Sequence, residues 1–162
     1  MKDVLKTRYV PLVRLQTVKE RDVPYGINGK VDTPSKVANL VGNLLKDSDR
    51  EQLIVLSVDT KTKPVCIEYI AMGALNVVHV EPREIFKHAI LSNASAIIMV
   101  HNHPSGEGEP SESDFKITKR IMKAGKLMGI ELLDHIIIGD NETFFNLKDT
   151  DEWEEMKNGS KC

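Results

Sequence analysis

The chain has 162 residues, a length that suits one compact domain and leaves little room for a second. Its apolar content of 41% and charged content of 28% are ordinary for a globular protein, so a core can form without disulfide bonds. The formal net charge of −2 argues against a broadly basic surface that binds nucleic acid.

Cysteine usage and hydropathy indicate the compartment. Cys66 and Cys162 do not form a CxxC pair, which fits a reducing cytosol better than a disulfide framework. No apolar run reaches the roughly 18 residues that a membrane span needs. Residues 1–6 lack the apolar core of a signal peptide. We therefore expect a cytoplasmic protein that has no membrane partner.

The first fifty residues predict one strand and one helix. Residues 9–19 alternate apolar and polar side chains, which is typical of a strand. Thr33 and Pro34 supply a helix N-cap and a proline at the first helical position, so a helix is predicted over 34–46. We expect residues 1–50 to pack as a strand and helix on the main domain.

The middle of the chain changes character at Gln52. Residues 52–59 and 65–73 are strand-like runs joined by a polar turn, which predicts a β-hairpin. A short strand near 77–80 leads to a helix predicted over 82–93. Residues 94–101 form a nearly continuous apolar run, the pattern of a buried central strand.

The last third predicts a long helix, a second hairpin and a tail. Apolar residues recur at helical spacing over 111–128, and Gly129 ends the pattern. Residues 131–139 and 143–147 form strand-like runs around a polar turn. The acidic tail, 149–162, is predicted to be a frayed helix or disordered.

The order of these elements predicts the fold class. Hairpins with inserted helices, rather than strict βαβ alternation, indicate an α+β (mixed α/β) domain with a largely antiparallel sheet and flanking helices. We assign residues 51–148 to this main domain.

The chemically informative stretch is an HxHP sequence followed by SxxD. His101 and His103, two residues apart, point the same way if the backbone is extended. Asp114 follows in the first turn of the next predicted helix. Two imidazoles, one carboxylate and a water make a tetrahedral catalytic zinc site with one open position. The sequence thus predicts one Zn²⁺ per chain, bound by His101, His103 and Asp114.

A structural interpretation of the same residues stays open. Ser111 and Asp114 have the spacing of a capping box, and alone they are better explained that way. His101 and His103 can also be loop residues whose rings bond to backbone. Capping explains neither histidine, however, and a capping residue can also bind a metal.

The string HNHPSGEGEPSESD at residues 101–114 resembles the JAMM motif of MPN+ metalloproteins, and its RadC branch in particular. Further similarity lies at residues 73–76, 82–84 and 134–139. The resemblance covers roughly residues 50–148. It implies a JAB/MPN (cytidine-deaminase-like) metalloprotease fold, a bound zinc ion and metallopeptidase-like chemistry.

The resemblance also implies two catalytic residues. Carried over by position, the family's upstream glutamate falls on Glu68 as general base, and Ser111 donates a hydrogen bond to the tetrahedral oxyanion. From the residues alone, Glu68 is better explained as a solvent-facing residue of an amphipathic strand. The resulting hypothesis is a zinc-dependent hydrolase that acts on a peptide or protein substrate at a peptide or isopeptide bond.

Two rival functions remain. RadC-like proteins usually carry an N-terminal helix-hairpin-helix region, and the first fifty residues lack its paired GxG hairpins. A DNA-repair accessory factor is the first rival, although the charge does not favour nucleic acid as a partner. The second is a catalytically silent interaction module, against which the complete ligand set argues. Glu81 stands where the family usually has histidine, and Gly73-Ala74 replaces its GT.

The sequence also predicts where four other polar and aromatic side chains lie and what one more contacts. His135 is predicted to be a core histidine bonded to backbone, and Asp134 to orient a ligand ring. His79 and His88 are predicted at the surface. Trp153, in the acidic tail, is predicted to be a partner-docking residue or merely exposed.

Overall fold

The structure of the protein is a computed structural model, and it describes residues 10–26, 29–45, 48–73, 80–106, 108–140 and 143–159. The helices are α1 (Pro34–Leu45), α2 (Pro82–Leu91), α3 (Glu112–Met128) and α4 (Asp151–Asn158), with a 3₁₀ turn at Leu147–Asp149. The strands are β1 (Gln52–Val58), β2 (Pro64–Met72), β3 (Ala96–Asn102), β4 (Glu131–Ile138) and β5 (Phe144–Asn146). Within these residues no helix combines the length and apolar character that crossing a bilayer requires.

The five strands form one mixed sheet in the order β2-β1-β3-β4-β5. Only β3 and β4 pair in parallel, and the other three pairings are antiparallel. Both predicted hairpins are confirmed, and so is the buried central strand, because every residue of β3 is buried. The predicted α+β class with a largely antiparallel sheet is therefore confirmed.

Helices cover the sheet on both faces. On the first face, α1 packs its apolar side chains against alternate residues of β1, β3 and β4. The helix contributes Val37, Leu40, Val41 and Leu45, and the strands contribute Ile54, Leu56, Ile98, Val100 and Ile136. On the second face, α2, α3 and α4 cover the intervening residues, among them Leu53, Val55, Ile97, Met99 and Ile137. His101 has the strand parity of Met99, so it projects from the second face, beside α3.

The predicted strand over residues 9–19 is wrong for its described part. Residues 10–19 belong to no strand, and their apolar side chains are exposed, Leu12 fully and Val10 to 91%. Alternation supplies a face, but a strand also needs a neighbour for its N–H and C=O groups. Tyr9 lies outside the described residues. Residues 77–79 of the predicted short strand do too, and Val80 is not in a strand.

The described part of the acidic tail forms a regular helix, although the tail was predicted to be a frayed helix or disordered. α4 begins after Thr150, whose side chain accepts a hydrogen bond from the Trp153 N–H at 3.3 Å. Trp153 and Met156 lie one helical turn apart and are 3% and 6% exposed. Trp153 is therefore a core residue, and its predicted exposure is wrong. The many acidic residues suggested a fully exposed tail, but they lie on one face of α4 while its apolar residues lie on the other.

We expect Trp153→Ala to lower the free energy of unfolding by about 3 to 5 kcal/mol, because it leaves a cavity between α4 and the core. Urea titration followed by far-UV circular dichroism measures this loss. Tryptophan fluorescence cannot serve as the probe, because the variant lacks the chain's single tryptophan. Glu155→Ala, on the exposed face of α4, is the control and should change stability by less than about 0.5 kcal/mol. Equal stability of the two variants would show that the tail does not support the core.

Candidate metal centre

The two histidines of HxHP leave the sheet on an extended backbone. His101 is the penultimate residue of β3 and is fully buried. The His103 N–H donates to the Ile138 carbonyl at 3.0 Å, which continues the pairing of β3 with β4 beyond the strand's end. Because the backbone stays extended, residues 101 and 103 project to the same side. The extended backbone expected from the sequence for His101 and His103 is therefore present.

Asp114 comes to the histidines from the start of α3. Ser111 caps this helix, accepting a hydrogen bond from the Asp114 N–H at 3.3 Å. In return the Ser111 N–H and hydroxyl donate to Asp114 Oδ2 at 2.7 and 2.6 Å. The capping box is therefore formed, and it leaves Asp114 Oδ1 directed at His101. Capping and metal binding are compatible in this turn.

The donor atoms have the spacing of a metal site. His101 Nε2 lies 2.9 Å from His103 Nε2 and 3.3 Å from Asp114 Oδ1, and His103 Nε2 lies 3.6 Å from Asp114 Oδ2. Ligands of a tetrahedral zinc, with bonds of about 2.0 to 2.1 Å, stand about 3.3 Å apart. In the described part of the chain, no other group of histidine, cysteine and acidic side chains converges in this way.

Charge and burial favour the protonation states that ligands need. Burial alone would raise the pKa of Asp114, but hydrogen bonds from His103 and Ser111 hold it below its ordinary value. Burial, reinforced by the neighbouring His135, lowers the pKa of His101 well below its ordinary value. A carboxylate and a neutral imidazole at neutral pH both offer lone pairs to a cation.

A second layer of polar side chains lies behind His101. His101 Nδ1 is 2.8 Å from His135 Nε2, and His135 Nδ1 is 2.6 Å from the Thr118 hydroxyl. Thr118, on α3, also contacts the Asp114 carbonyl oxygen at 2.5 Å. Burial lowers the pKa of His135 to about 4. His135 is a core histidine, as predicted, but its ring bonds to side chains rather than to backbone.

Asp134 does not orient a ligand ring, so that prediction is wrong. Its Oδ1 accepts hydrogen bonds from the backbone N–H groups of His135 at 2.7 Å and Lys148 at 3.3 Å. Consecutive strand residues face opposite sides of a sheet, so Asp134 points away from the ring of His135. Its role is to hold the 3₁₀ turn against β4.

The structure does not bring Glu68 to the metal group. Glu68 pairs in register with Val55 of β1, which in turn faces Met99 of β3, two residues before His101. The Glu68 carboxylate contacts His88 of α2, whose side chain is only 35% exposed rather than free on the surface. Burial raises the pKa of Glu68, against the opposing charge of His88. His79 lies outside the described residues.

Sequence reasoning missed Glu51, which the strand register places beside the histidines. Leu53 pairs with His101, so residue 51 falls at the level of His103 and on the same face as His101. The Asn102 side chain secures this end of β1, accepting from the Gln52 N–H at 2.8 Å and donating to the Arg50 carbonyl at 3.0 Å. In the sequence, Glu51 immediately precedes β1 and His103 immediately follows β3. Their proximity follows only from the antiparallel pairing of these two strands.

These features define a class: a mixed sheet whose central strand ends in two histidines, with a carboxylate returned to them by the next helix. The sequence matches the RadC-like JAB domain family over residues 31–152, and the chain belongs to this family. The match includes all of α1 and the first two residues of α4. The resemblance stated from the HxHP and SxxD residues is confirmed.

Relatives in bacteria and archaea agree with this assignment. The chain is 49% identical over 122 residues to a UPF0758 protein of Clostridium perfringens, covering 75% of this chain and 53% of the relative. It is 42% identical over 120 residues to a UPF0758 protein of Methanosarcina mazei, covering 74% of this chain and 52% of the relative. The chain thus spans about half the length of the curated relatives it matches.

Asp134 generates a pH prediction. Burial raises the pKa of its carboxyl from 3.8 to about 6 despite its two N–H donors. Between these values the folded chain holds the proton more tightly than the unfolded chain, so this group's contribution to stability falls as pH rises. Asn keeps an oxygen acceptor and does not ionise, so Asp134→Asn should gain up to about 3 kcal/mol over wild type between about pH 4 and pH 7.

Denaturant titrations of wild type and Asp134→Asn across this pH range measure the difference. The free energies of unfolding should diverge as pH rises and agree most closely at the acid end. Parallel curves would mean that burial does not favour the protonated form of the Asp134 carboxyl group.

Proposed function

We propose that this domain is a zinc-dependent hydrolase of peptide or isopeptide bonds. The observation that carries the proposal is the convergence of His101, His103 and Asp114, which can each offer one ligand atom within 4.8 Å of the others. Three protein ligands leave one position for water or substrate, which distinguishes catalytic zinc sites from closed structural sites.

The donor set favours zinc over other common ions. Two imidazole nitrogens and one carboxylate oxygen match the ligands of zinc hydrolases, whereas Ca²⁺ and Mg²⁺ prefer sets made of oxygen. Ser111 fixes the carboxylate through two hydrogen bonds to Oδ2, so Asp114 reaches the site already oriented. Zinc bound by this group would lower the pKa of a water molecule to about 7 and polarise a substrate carbonyl.

Glu51 is the proposed general base. Strand register puts it on the same face as His101 and at the level of His103, where a carboxylate can accept a proton from the attacking water. The same carboxyl then returns this proton to the departing amine. Glu68 was carried into this role by family position alone. Its contact with His88, on the far side of β1, does not support that assignment.

Ser111 is the proposed donor to the developing oxyanion. Its hydroxyl lies at the N-terminus of α3, where the helix dipole favours negative charge. It donates to Asp114 Oδ2 at 2.6 Å, so it stands one hydrogen bond away from the metal ligands. A substrate carbonyl beside the metal would compete for this hydroxyl as its oxygen gains charge.

We expect wild type, purified without chelator or histidine tag, to contain about one zinc per chain by ICP-MS. His103→Ala and Asp114→Asn each remove a ligand atom and should lose the metal while keeping a native circular dichroism spectrum. His88→Ala is the matched control, since His88 contacts Glu68 instead of the metal group, and should retain zinc. A wild type that takes up no zinc even after reconstitution would refute the proposed function.

The assignment of the base is tested by two isosteric variants. Glu51→Gln should lower kcat on a peptide or isopeptide substrate by about 10² to 10⁴-fold, the usual contribution of a general base. Glu68→Gln should leave most of the activity, because its carboxylate serves the contact with α2. Substrates come from fluorogenic peptide and isopeptide libraries screened with wild type, and both variants must retain zinc. The reverse pattern would return the base to Glu68.

A further inference from the structure

We propose that Thr118 and His135 are positioning residues that fix the tautomer of His101, so that its Nε2 lone pair faces the metal group. The inference rests on the proposed metal site but concerns the metal-free chain's own hydrogen bonds. It follows from three contacts among buried groups, each of which has one allowed direction. Thr118 and His101 are fully buried and His135 is 1% exposed, so these atoms are out of contact with bulk solvent.

The first direction is set by the Thr118 hydroxyl. It lies 2.5 Å from the Asp114 carbonyl oxygen, which can only accept, so the hydroxyl hydrogen lies between these two oxygens. A hydroxyl has one hydrogen. Towards His135 Nδ1, 2.6 Å away, Thr118 therefore presents a lone pair, and Nδ1 must carry the hydrogen.

The second direction passes through His135. A buried imidazole without an acidic partner is neutral, and a neutral ring bears one N–H. With that hydrogen on Nδ1, His135 Nε2 is a bare acceptor. His101 Nδ1 lies 2.8 Å from it and must donate, so His101 carries its hydrogen on Nδ1. His101 Nε2 is then unprotonated and faces His103 and Asp114.

The contacts therefore join two proposed metal ligands through α3 and β4. The chain of hydrogen bonds runs from the Asp114 carbonyl through Thr118 and His135 to His101. The His101 Nε2 lone pair and Asp114 Oδ1, 3.3 Å apart, are both acceptors that a cation can share. A ligand histidine usually donates its second N–H to a carboxylate, carbonyl or water, and that partner fixes ring orientation. Here a histidine takes that place, and a threonine hydroxyl decides its tautomer.

Long-range ¹H–¹⁵N spectra of histidine side chains in metal-free protein test the proposal directly. The wild type should show both His101 and His135 as the Nδ1–H tautomer. Thr118→Ser keeps the hydroxyl and should preserve both signals. Thr118→Val removes the acceptor for His135 Nδ1 and should shift His135, and His101 with it, towards mixed tautomers. His101 carrying its hydrogen on Nε2 in wild type would overturn the proposal without any variant.

Zinc affinity, measured by competition with a chromophoric chelator, gives a second readout. Thr118→Val should weaken zinc binding by about 10 to 100-fold, the usual effect of losing such a supporting contact, and Thr118→Ser should restore it. Ile121→Val, a buried methyl deletion one turn along α3, controls for loss of helix packing and should keep wild-type affinity. Wild-type affinity in Thr118→Val would contradict the positioning role.

The two readouts separate this proposal from the proposed function. If wild type binds no zinc, the metal site fails, while the tautomers of the metal-free chain still decide whether Thr118 sets His101. If zinc binds but His101 is protonated on Nε2 in the metal-free chain, the metal site stands and the positioning role is wrong.

Discussion

Burial of His101 at the end of the central strand is the constraint on which the site depends. β3 is buried along its whole length, so the imidazole of His101 at its end is fully buried. A buried polar ring is costly unless both nitrogens are satisfied. His135 accepts a hydrogen bond from one nitrogen, and His103 contacts the other at 2.9 Å. The fold thus satisfies this ring by building a cluster that can hold a cation.

Helix α3 supplies most of what that constraint demands. Its cap orders Ser111 and Asp114, and its next turn brings Thr118 against His135. Local and tertiary requirements coincide here, because the carboxylate that completes the capping box also reaches the histidines. One conformation of this turn therefore both caps the helix and presents Asp114 to the histidines. β1 brings the remaining proposed group, Glu51, to the same face through its pairing with β3.

The hairpins, the buried strand β3, α3 and the convergence of the three ligands could be predicted, because each depends on local patterning or on a short loop. Glu51 could not be found this way, since its proximity to His103 arises only from the register across β1 and β3. The relay through His135 and Thr118 likewise depends on how α3 sits on β4. Residues 10–19 and Trp153 were mispredicted because pairing and docking are decided by partners distant in sequence.

X-ray diffraction from zinc-loaded crystals, recorded on both sides of the zinc absorption edge, tests the central claim most directly. The account predicts one anomalous peak within about 2.0 to 2.2 Å of His101 Nε2, His103 Nε2 and an Asp114 carboxylate oxygen, with a non-protein oxygen as the fourth ligand. A peak elsewhere, or a fourth ligand from a protein side chain, would contradict an open metal centre at this end of β3.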